Sequence, residues 1–269
     1  MGANHSRNRG IFAAEAKFVA FLDSDDVWMP QKLEKQLQEI ARAKLKDSRP
    51  VLSATARYRV NGQGEILVRQ FGGRVLNHQK IRKSNFLGTL SSIVVETWIA
   101  RHVRGFDEGL PACQDWDFFI RVSEYAQFVG VSDPMCVYVD HDEDRITLNN
   151  KNRLRAHIFI YKKYIRTGYG KIRKAEFYRN IAEDYQELGN FRKSVLFYAK
   201  SVATGYWKNE SIANFATWML SKYYVLQPPP SIKQKRYERY RQIMNSLLSD
   251  AQISAELKEH RGVIESLMA

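Results

Sequence analysis

A chain of 269 residues with 44% hydrophobic and 26% charged content can bury a full core and has the composition of a globular protein. No run approaches the ~20 apolar residues that span a bilayer, and the first fifteen residues, MGANHSRNRGIFAAE, lack the apolar centre of a signal peptide. Two cysteines, Cys113 and Cys136, build no disulfide framework, so a reducing compartment and a cytoplasmic address are expected. The formal net charge of +13 is unevenly spread: residues 1–150 carry 20 Lys and Arg against 19 Asp and Glu, and residues 151–269 carry 22 against 10. Two parts with different work are expected, with a boundary near residue 150.

In chain order, Ser6 to Ala16 reads as a short helix and Lys17 to Leu22 as a strand. The continuous apolar run FVAFL suits a strand covered on both faces, as in a parallel α/β sheet. The acidic turn DSDD follows, and Pro30 stands where the first turn of a helix accepts it. Leu33, Leu37 and Ile40 then mark one face of that helix. Strands are expected over Val51–Val60 and Glu65–Gln70, with a turn at NGQG between them. SSIVVE reads as a further strand followed by a short helix from Thr97; QDWDFFIRVSEYA reads as a helix beginning near Asp115. FVGVSD and MCVYVD read as two short strands. Strands alternating with helices make residues 1–150 an α/β region.

Asp23, Asp25 and Asp26 crowd together at the carboxyl end of the FVAFL strand, which is where open α/β sheets bind ligands. Two chemical readings stand side by side. An acid here caps the following helix, or the carboxylates share a hard divalent cation that relieves their repulsion and holds a diphosphate. About ninety residues on, Asp115 and Asp117 flank Trp116. One of these carboxylates could cap its helix or act as a general base, and Trp116 could wall a pocket against the apolar face of a sugar ring. His141 and Arg145 lie in the polar stretch VDHDEDRIT. A lone histidine is more often structural than a ligand.

The stretches SRNRGIFAAEAKFVAFLDSDDVWMPQKLEKQ, GTLSSIVVE, RGFDEGLPACQDWDFFIRV and HDEDRIT, in this order, resemble family 2 glycosyltransferases of the GT-A fold from Gly2 to about Asn150. The resemblance implies a Rossmann-like GT-A domain over residues 1–150. It further implies inverting, metal-dependent transfer of a sugar from a nucleotide-sugar donor to an acceptor hydroxyl, in glycan or cell-surface polysaccharide biosynthesis. Asp23-Ser24-Asp25 is the implied DxD element, with Asp25 the direct ligand of a Mn or Mg cation and Asp23 nearer the nucleotide-sugar. Asp26 matches the second acid of this subgroup. Asp115 aligns with the implied catalytic base, although Gln114 stands where the family usually has Glu. Trp116 is expected beside the donor, His141 at the metal or diphosphate, and Arg145 at a phosphate. No covalent nucleophile is implied. The processive subgroup's Gln-x-x-Arg-Trp element is missing, so one transfer per encounter is expected.

Members of the family carry a preceding strand-helix-strand segment with a DDGS-like acid, and this chain starts at its tail. An incomplete GT-A domain that binds donor weakly or not at all in isolation is the expectation. The alternative is an inactive fragment, or a helical interaction or membrane-surface module of glycosyltransferase ancestry.

Residues 151–269 read as an all-α, basic region. YRNIAEDYQELGNFRKSVLFYAKSV, within about 175–204, has the spacing of one tetratricopeptide-like hairpin, with Ser at two positions that usually hold Ala. A single copy builds no solenoid, so packing on the α/β part is preferred to a peptide-binding array. After QPPPS, IKQKRYERYRQIMNSLL opens a basic helix. Peripheral contact with anionic lipid at the inner membrane face, where a lipid-linked acceptor would reside, is preferred to nucleic-acid binding.

Overall fold

The computed structural model describes residues 2–61, 66–70, 75–76, 81–82, 85–140, 149–164 and 174–204. Seven helices and seven strands are defined among them: α1 (Ala3–Ala13), β1 (Phe18–Ala20), β2 (Val27–Trp28), α2 (Lys32–Lys44), β3 (Val51–Asn61), β4 (Ile66–Gln70), β5 (Val75–Leu76), β6 (Ile93–Glu96), α3 (Thr97–His102), α4 (Gln114–Val122), β7 (Gln127–Asp140), α5 (Asn150–Tyr164), α6 (Lys174–Glu187) and α7 (Phe191–Ala203).

The strands form one mixed sheet in the order β1-β6-β3-β7-β2, with β4 added beside β3 and β5 beside β7. Among the described residues only β3 and β7 run parallel; β1–β6, β3–β6 and β2–β7 are antiparallel. The FVAFL stretch therefore differs from its expected place in a parallel, doubly covered sheet. Its strand is three residues long, half-buried, and stands at the end of the strand order. The chain leaves the sheet at Phe21, whose ring enters the core edge-on to Phe106 and Phe118 at 5.5 and 6.2 Å, while Leu22 is exposed.

The two strands expected over FVGVSD and MCVYVD are a single strand, β7. Its register against β3 jumps from Thr55↔Val131 to Ala56↔Pro134. Pro134 has no N–H to donate to a ladder, so a bulge is the natural accommodation. The bulged Asp133 accepts an ion pair from Lys35 of α2 at 2.6 Å.

Helix α2 begins two residues beyond Pro30, because Gln31 adopts a left-handed conformation (φ 63°) ahead of it. Its buried face also differs from the apolar stripe. Lys32, Gln36 and Ile40 face inward, whereas Leu33 and Leu37 are exposed. The physical reason is polar: the Gln36 amide donates to Ser53 O at 3.2 Å and Ser92 O at 3.1 Å, and accepts from Lys32 Nζ at 2.7 Å. These bonds join α2 to backbone oxygens where β3 meets the turn before β6, contacts that leucine could not make.

Helix α1 starts and ends three residues earlier than the sequence pattern suggests, and its inward side is mostly polar. Asn8 accepts from Phe106 N at 2.7 Å and donates to Phe106 O at 2.9 Å, while Asn4 donates to Asp107 O at 2.9 Å. Gly105 (φ 61°) leaves room for Asn8, since a Cβ there would lie 2.2 Å from its Oδ1. Arg101 of α3 donates to the carbonyls of Ile11, Phe12 and Ala14, closing the C-terminal end of α1.

The main core joins β1-side residues, α4 and the following helices: Phe21, Leu52, Val95, Phe118 and Phe119 pack in one cluster with Ile160 and Tyr164 of α5 and Phe177 of α6. Helices α6 and α7 form a hairpin around Gly189 (φ 70°). Ser194 and Ser201 donate across it to Ala182 O at 3.0 Å and Ala175 O at 2.7 Å. That explains serine where the repeat pattern has alanine.

Candidate active site

The DSDD turn is built by the end of β1 and closed by a hydrogen bond from Asp26 N to Asp23 O at 3.1 Å. The three acids sit in different environments. Asp23 is half-buried and accepts from Arg7 Nη2 at 2.6 Å, and its backbone N–H donates to Ser91 Oγ at 3.0 Å. Asp25 is exposed at the tip of the turn. Asp26 is 7% exposed; its Oδ2 accepts from Thr89 Oγ1 at 3.0 Å, and its Oδ1 has no partner among the described residues. Burial pushes the Asp26 carboxyl from 3.8 up to about 6, with Asp25 and Asp23 adding to the rise and hydrogen bonds from Ser91 and Thr89 opposing it.

A cationic layer lies behind this turn. Lys32 is 1% exposed, its Nζ is 4.2 Å from the Trp28 ring centroid, and burial pulls its pKa from 10.5 to about 8. The indole of Trp28 donates to Ser91 O at 2.7 Å. Arg57 of β3 donates to Leu87 O at 2.6 Å and acts electrostatically on Asp26, although burial lowers its own pKa. Gly88 (φ 81°) lies directly over that guanidinium: a Cβ there would meet Arg57 Nη2 at 1.9 Å.

The second acidic site is the start of α4. Cys113 takes the left-handed conformation (φ 56°) that opens the helix, so Asp115 and Asp117 both lie in its first turn. They have different fates. Asp117 is fully buried: Oδ2 is held by Arg121 at 2.7 and 2.9 Å, and Oδ1 by Lys163 at 2.9 Å and Tyr164 at 2.6 Å. Burial alone would raise its pKa, but Arg121, Tyr164 and Lys163 hold it below the usual value. It is an ionic tie between α4 and α5.

Asp115 keeps part of its residue surface, yet its carboxyl is enclosed, and burial raises its pKa. Opposing the rise are its hydrogen bonds with the Trp116 N–H, Asn85 and its own N–H, and the charge of Arg7. Arg7 thus pairs with Asp23 and also acts on Asp115, so both acids lie within electrostatic reach of one guanidinium. Both thiols are held protonated by burial, Cys136 being pushed up to about 12 and Cys113 higher, so neither is an activated nucleophile.

Trp116 is not where the sequence pattern suggests. It is 4% exposed, donates to Ile81 O at 2.6 Å, and stacks on Phe177 with centroids 5.2 Å apart. Both of the indole's assets, its face and its N–H, are used inside the core, so it offers no wall to a ligand. His141 and Arg145 lie outside the described residues.

Residues that sequence reasoning passed over include Arg7, Asn85, Thr89, Ser91 and Arg57. Arg7 sits inside the RNRGI stretch, which carried the family resemblance but no assigned role. Asn85 had no signal in the chain pattern.

The donor set suits a hard divalent cation. Asp26 Oδ1 is a buried oxygen without a partner and Asp25 is an open carboxylate beside it, whereas Asp23 is committed to Arg7. Among the described residues no group of three or more His, Cys, Asp or Glu could enclose a metal. Mg²⁺-like ions need no such cage, since one or two carboxylates with phosphate and water complete their shell.

Residues 1–164 match the family described as "Glycosyltransferase like family 2". An uncharacterized glycosyltransferase of Methanocaldococcus jannaschii is 32% identical over 124 residues, covering 45% of this chain and 41% of that protein. The amylovoran biosynthesis glycosyltransferase AmsB of Erwinia amylovora is 31% identical over 139 residues, covering 49% of this chain and 45% of AmsB. The chain therefore spans less than half the length of these two curated relatives. The crystal structure of S. aureus TarS 1-349 in complex with UDP-GlcNAc superposes with a TM-score of 0.51 at 14% identity, over 92% of this chain and 72% of that one. At that identity the likeness is one of fold: α/β of the GT-A class, with helices following.

Proposed function

Because this chain belongs to glycosyltransferase-like family 2, we propose that it transfers a sugar from a nucleotide-sugar donor to an acceptor hydroxyl with inversion, one transfer per encounter. The observation that carries this reading is the position of Arg7, 2.6 Å from Asp23 and acting on Asp115. One guanidinium thereby acts on both a donor-side acid and a candidate base, which supports a shared site. AmsB is named for amylovoran biosynthesis and TarS was crystallised with UDP-GlcNAc, which supports a UDP-sugar donor and a polysaccharide or lipid-linked glycan as acceptor.

Asp25 and Asp26 would hold a Mn or Mg cation. When bound, that ion neutralises the diphosphate as it leaves. The chain's own residues do the rest. Arg7 holds Asp23 in place and keeps its own charge at the mouth between the two acids. Thr89 and Ser91 fix Asp26 and the backbone of Asp23. Asp115, enclosed and partly desolvated, takes the proton from the acceptor hydroxyl as its oxygen attacks the anomeric carbon. One displacement of this kind inverts the anomeric configuration, and no enzyme nucleophile is needed. No described helix is long and apolar enough to cross a membrane. A lipid-linked acceptor would be met through the basic residues beyond 204, as peripheral contact.

The test is Mn²⁺-dependent turnover of a UDP-sugar panel by the full chain, with Asp25→Ala and Asp115→Asn beside wild type. Asp25→Ala should lose cation-dependent donor binding in calorimetry. Asp115→Asn should keep that binding and lose transfer by about 10²-fold or more, the usual reach of a general base. Equal donor affinity in Asp25→Ala and wild type, or transfer undiminished in Asp115→Asn, would sink the reading.

A further inference from the structure

Between 85 and 92 the chain touches Asp23, Asp26 and Asp115 as well as two side chains behind the DSDD turn. Ser91 and Thr89 hold the DSDD turn, Leu87 O holds Arg57, Ser92 O holds Gln36, and Asn85 reaches Asp115. The Asn85 contact is the one the proposed chemistry has not used. Its Nδ2 donates to Asp115 Oδ2 at 2.6 Å, and its Oδ1 accepts from Gly88 N at 3.2 Å. Gly88 in turn adopts φ 81° directly over Arg57, whose charge acts on Asp26. A single amide therefore links the carboxyl at the start of α4 to the segment that carries Thr89.

Resting on the glycosyltransferase reading above, we propose that Asn85 is a positioning residue for Asp115, fixing the orientation of its carboxyl and tying it to the 85–92 segment that also holds the DSDD turn. With Oδ2 engaged by the amide, rotation of the carboxyl is opposed from the side away from α4, while the N–H groups of Trp116 and of Asp115 itself hold it from the helix. The amide donor also favours the ionised form. Arg7 of α1 is the charged group acting on the same carboxyl, and Cys113 precedes it by two residues. Arg153 of α5 and Asp184 of α6, paired with each other at 2.6 Å, act on Cys113 from the helical side. Asn85 carries no charge, so replacing it changes the hydrogen bond without first disturbing an ion pair.

The experiment compares wild type, Asn85→Ala and Asn85→Asp in the full chain. Asn85→Asp is isosteric and keeps the acceptor for Gly88 N–H, but sets a second carboxylate against Asp115, so the pair must share a proton. Asp115 is followed by carbon-13 carboxyl titration, and transfer by its pH profile. Asn85→Ala should move the Asp115 titration upward by about one unit and Asn85→Asp by more. The acid limb of kcat should move with it, with kcat down about tenfold at any pH on that limb and donor KM unchanged within twofold. Thermal melting separates these effects from misfolding. An unmoved titration and acid limb in an actively transferring protein would overturn the positioning role alone. A titration moved in the variants while wild type transfers no sugar would instead overturn the assignment of Asp115 as a base, and the inference with it.

Discussion

Asp26 sets stability against function in a way that can be measured. Its carboxyl is 7% exposed, one oxygen has no partner among the described residues, and its pKa is pushed from 3.8 up to about 6. Between those values the folded protein keeps a proton that the unfolded chain has released, so stability falls as pH rises through this window. The full shift corresponds to about 3 kcal/mol of lost stability at neutral pH. Asp26→Asn removes the charge and keeps an oxygen for Thr89, but leaves an amide N–H₂ where Oδ1 had no partner. Allowing for that group, the substitution should stabilise the metal-free protein by about 2 kcal/mol at pH 7.5 and by nothing, or slightly the reverse, near pH 4. Urea unfolding in chelator at several pH values would show the gap between variant and wild type opening from about pH 4 to 6 and staying flat above. The same variant should lose Mn²⁺-dependent donor turnover. A stability difference independent of pH, or one that widens toward acid, would refute the assignment of a strained, buried acid at this position.

Two further substitutions separate local from tertiary effects. Gly88→Ala meets both a left-handed backbone and a Cβ 1.9 Å from Arg57, whereas Gly189→Ala meets φ 70° with nothing within 4 Å. Gly189→Ala should cost about 1 kcal/mol in urea unfolding, and Gly88→Ala at least about 2 kcal/mol with weakened donor binding as Arg57 is displaced. Trp116→Ala should lose about 3–5 kcal/mol because the indole is enclosed against Phe177. Trp116→Phe should keep the donor KM of wild type, and a raised donor KM with unchanged stability would restore Trp116 to the ligand site.

Local signals carried the α/β region a long way. The alternation of strand and helix, the acids after β1, the helix starting near Asp115 and the β6–α3 junction all follow from spacing and chain chemistry within about ten residues. They place the two acidic sites at element ends, and the family resemblance and the GT-A class of fold rest on those same stretches. Errors entered where a residue's environment comes from a distant strand. Leu33 and Leu37 make the better apolar stripe of α2, yet the sheet beneath presents Ser53 and Ser92 oxygens to which the Gln36 amide donates. Trp116 beside two acids looks like a pocket wall until α6 brings Phe177 against it.

By itself, the order of residues determined that aspartates cluster at a strand end and at a helix start, because turns, caps and apolar periodicity are properties of neighbours. Only the packed chain decided which of these carboxylates is buried, which is ion-paired and which meets another. Arg7 stands 16 positions from Asp23 and Asn85 stands 30 from Asp115. Those meetings depend on α1 docking through Asn4 and Asn8 onto the 105–110 loop, and on β6 threading between β1 and β3. Burial and Coulomb energy depend on distance through space, to which sequence separation is no guide.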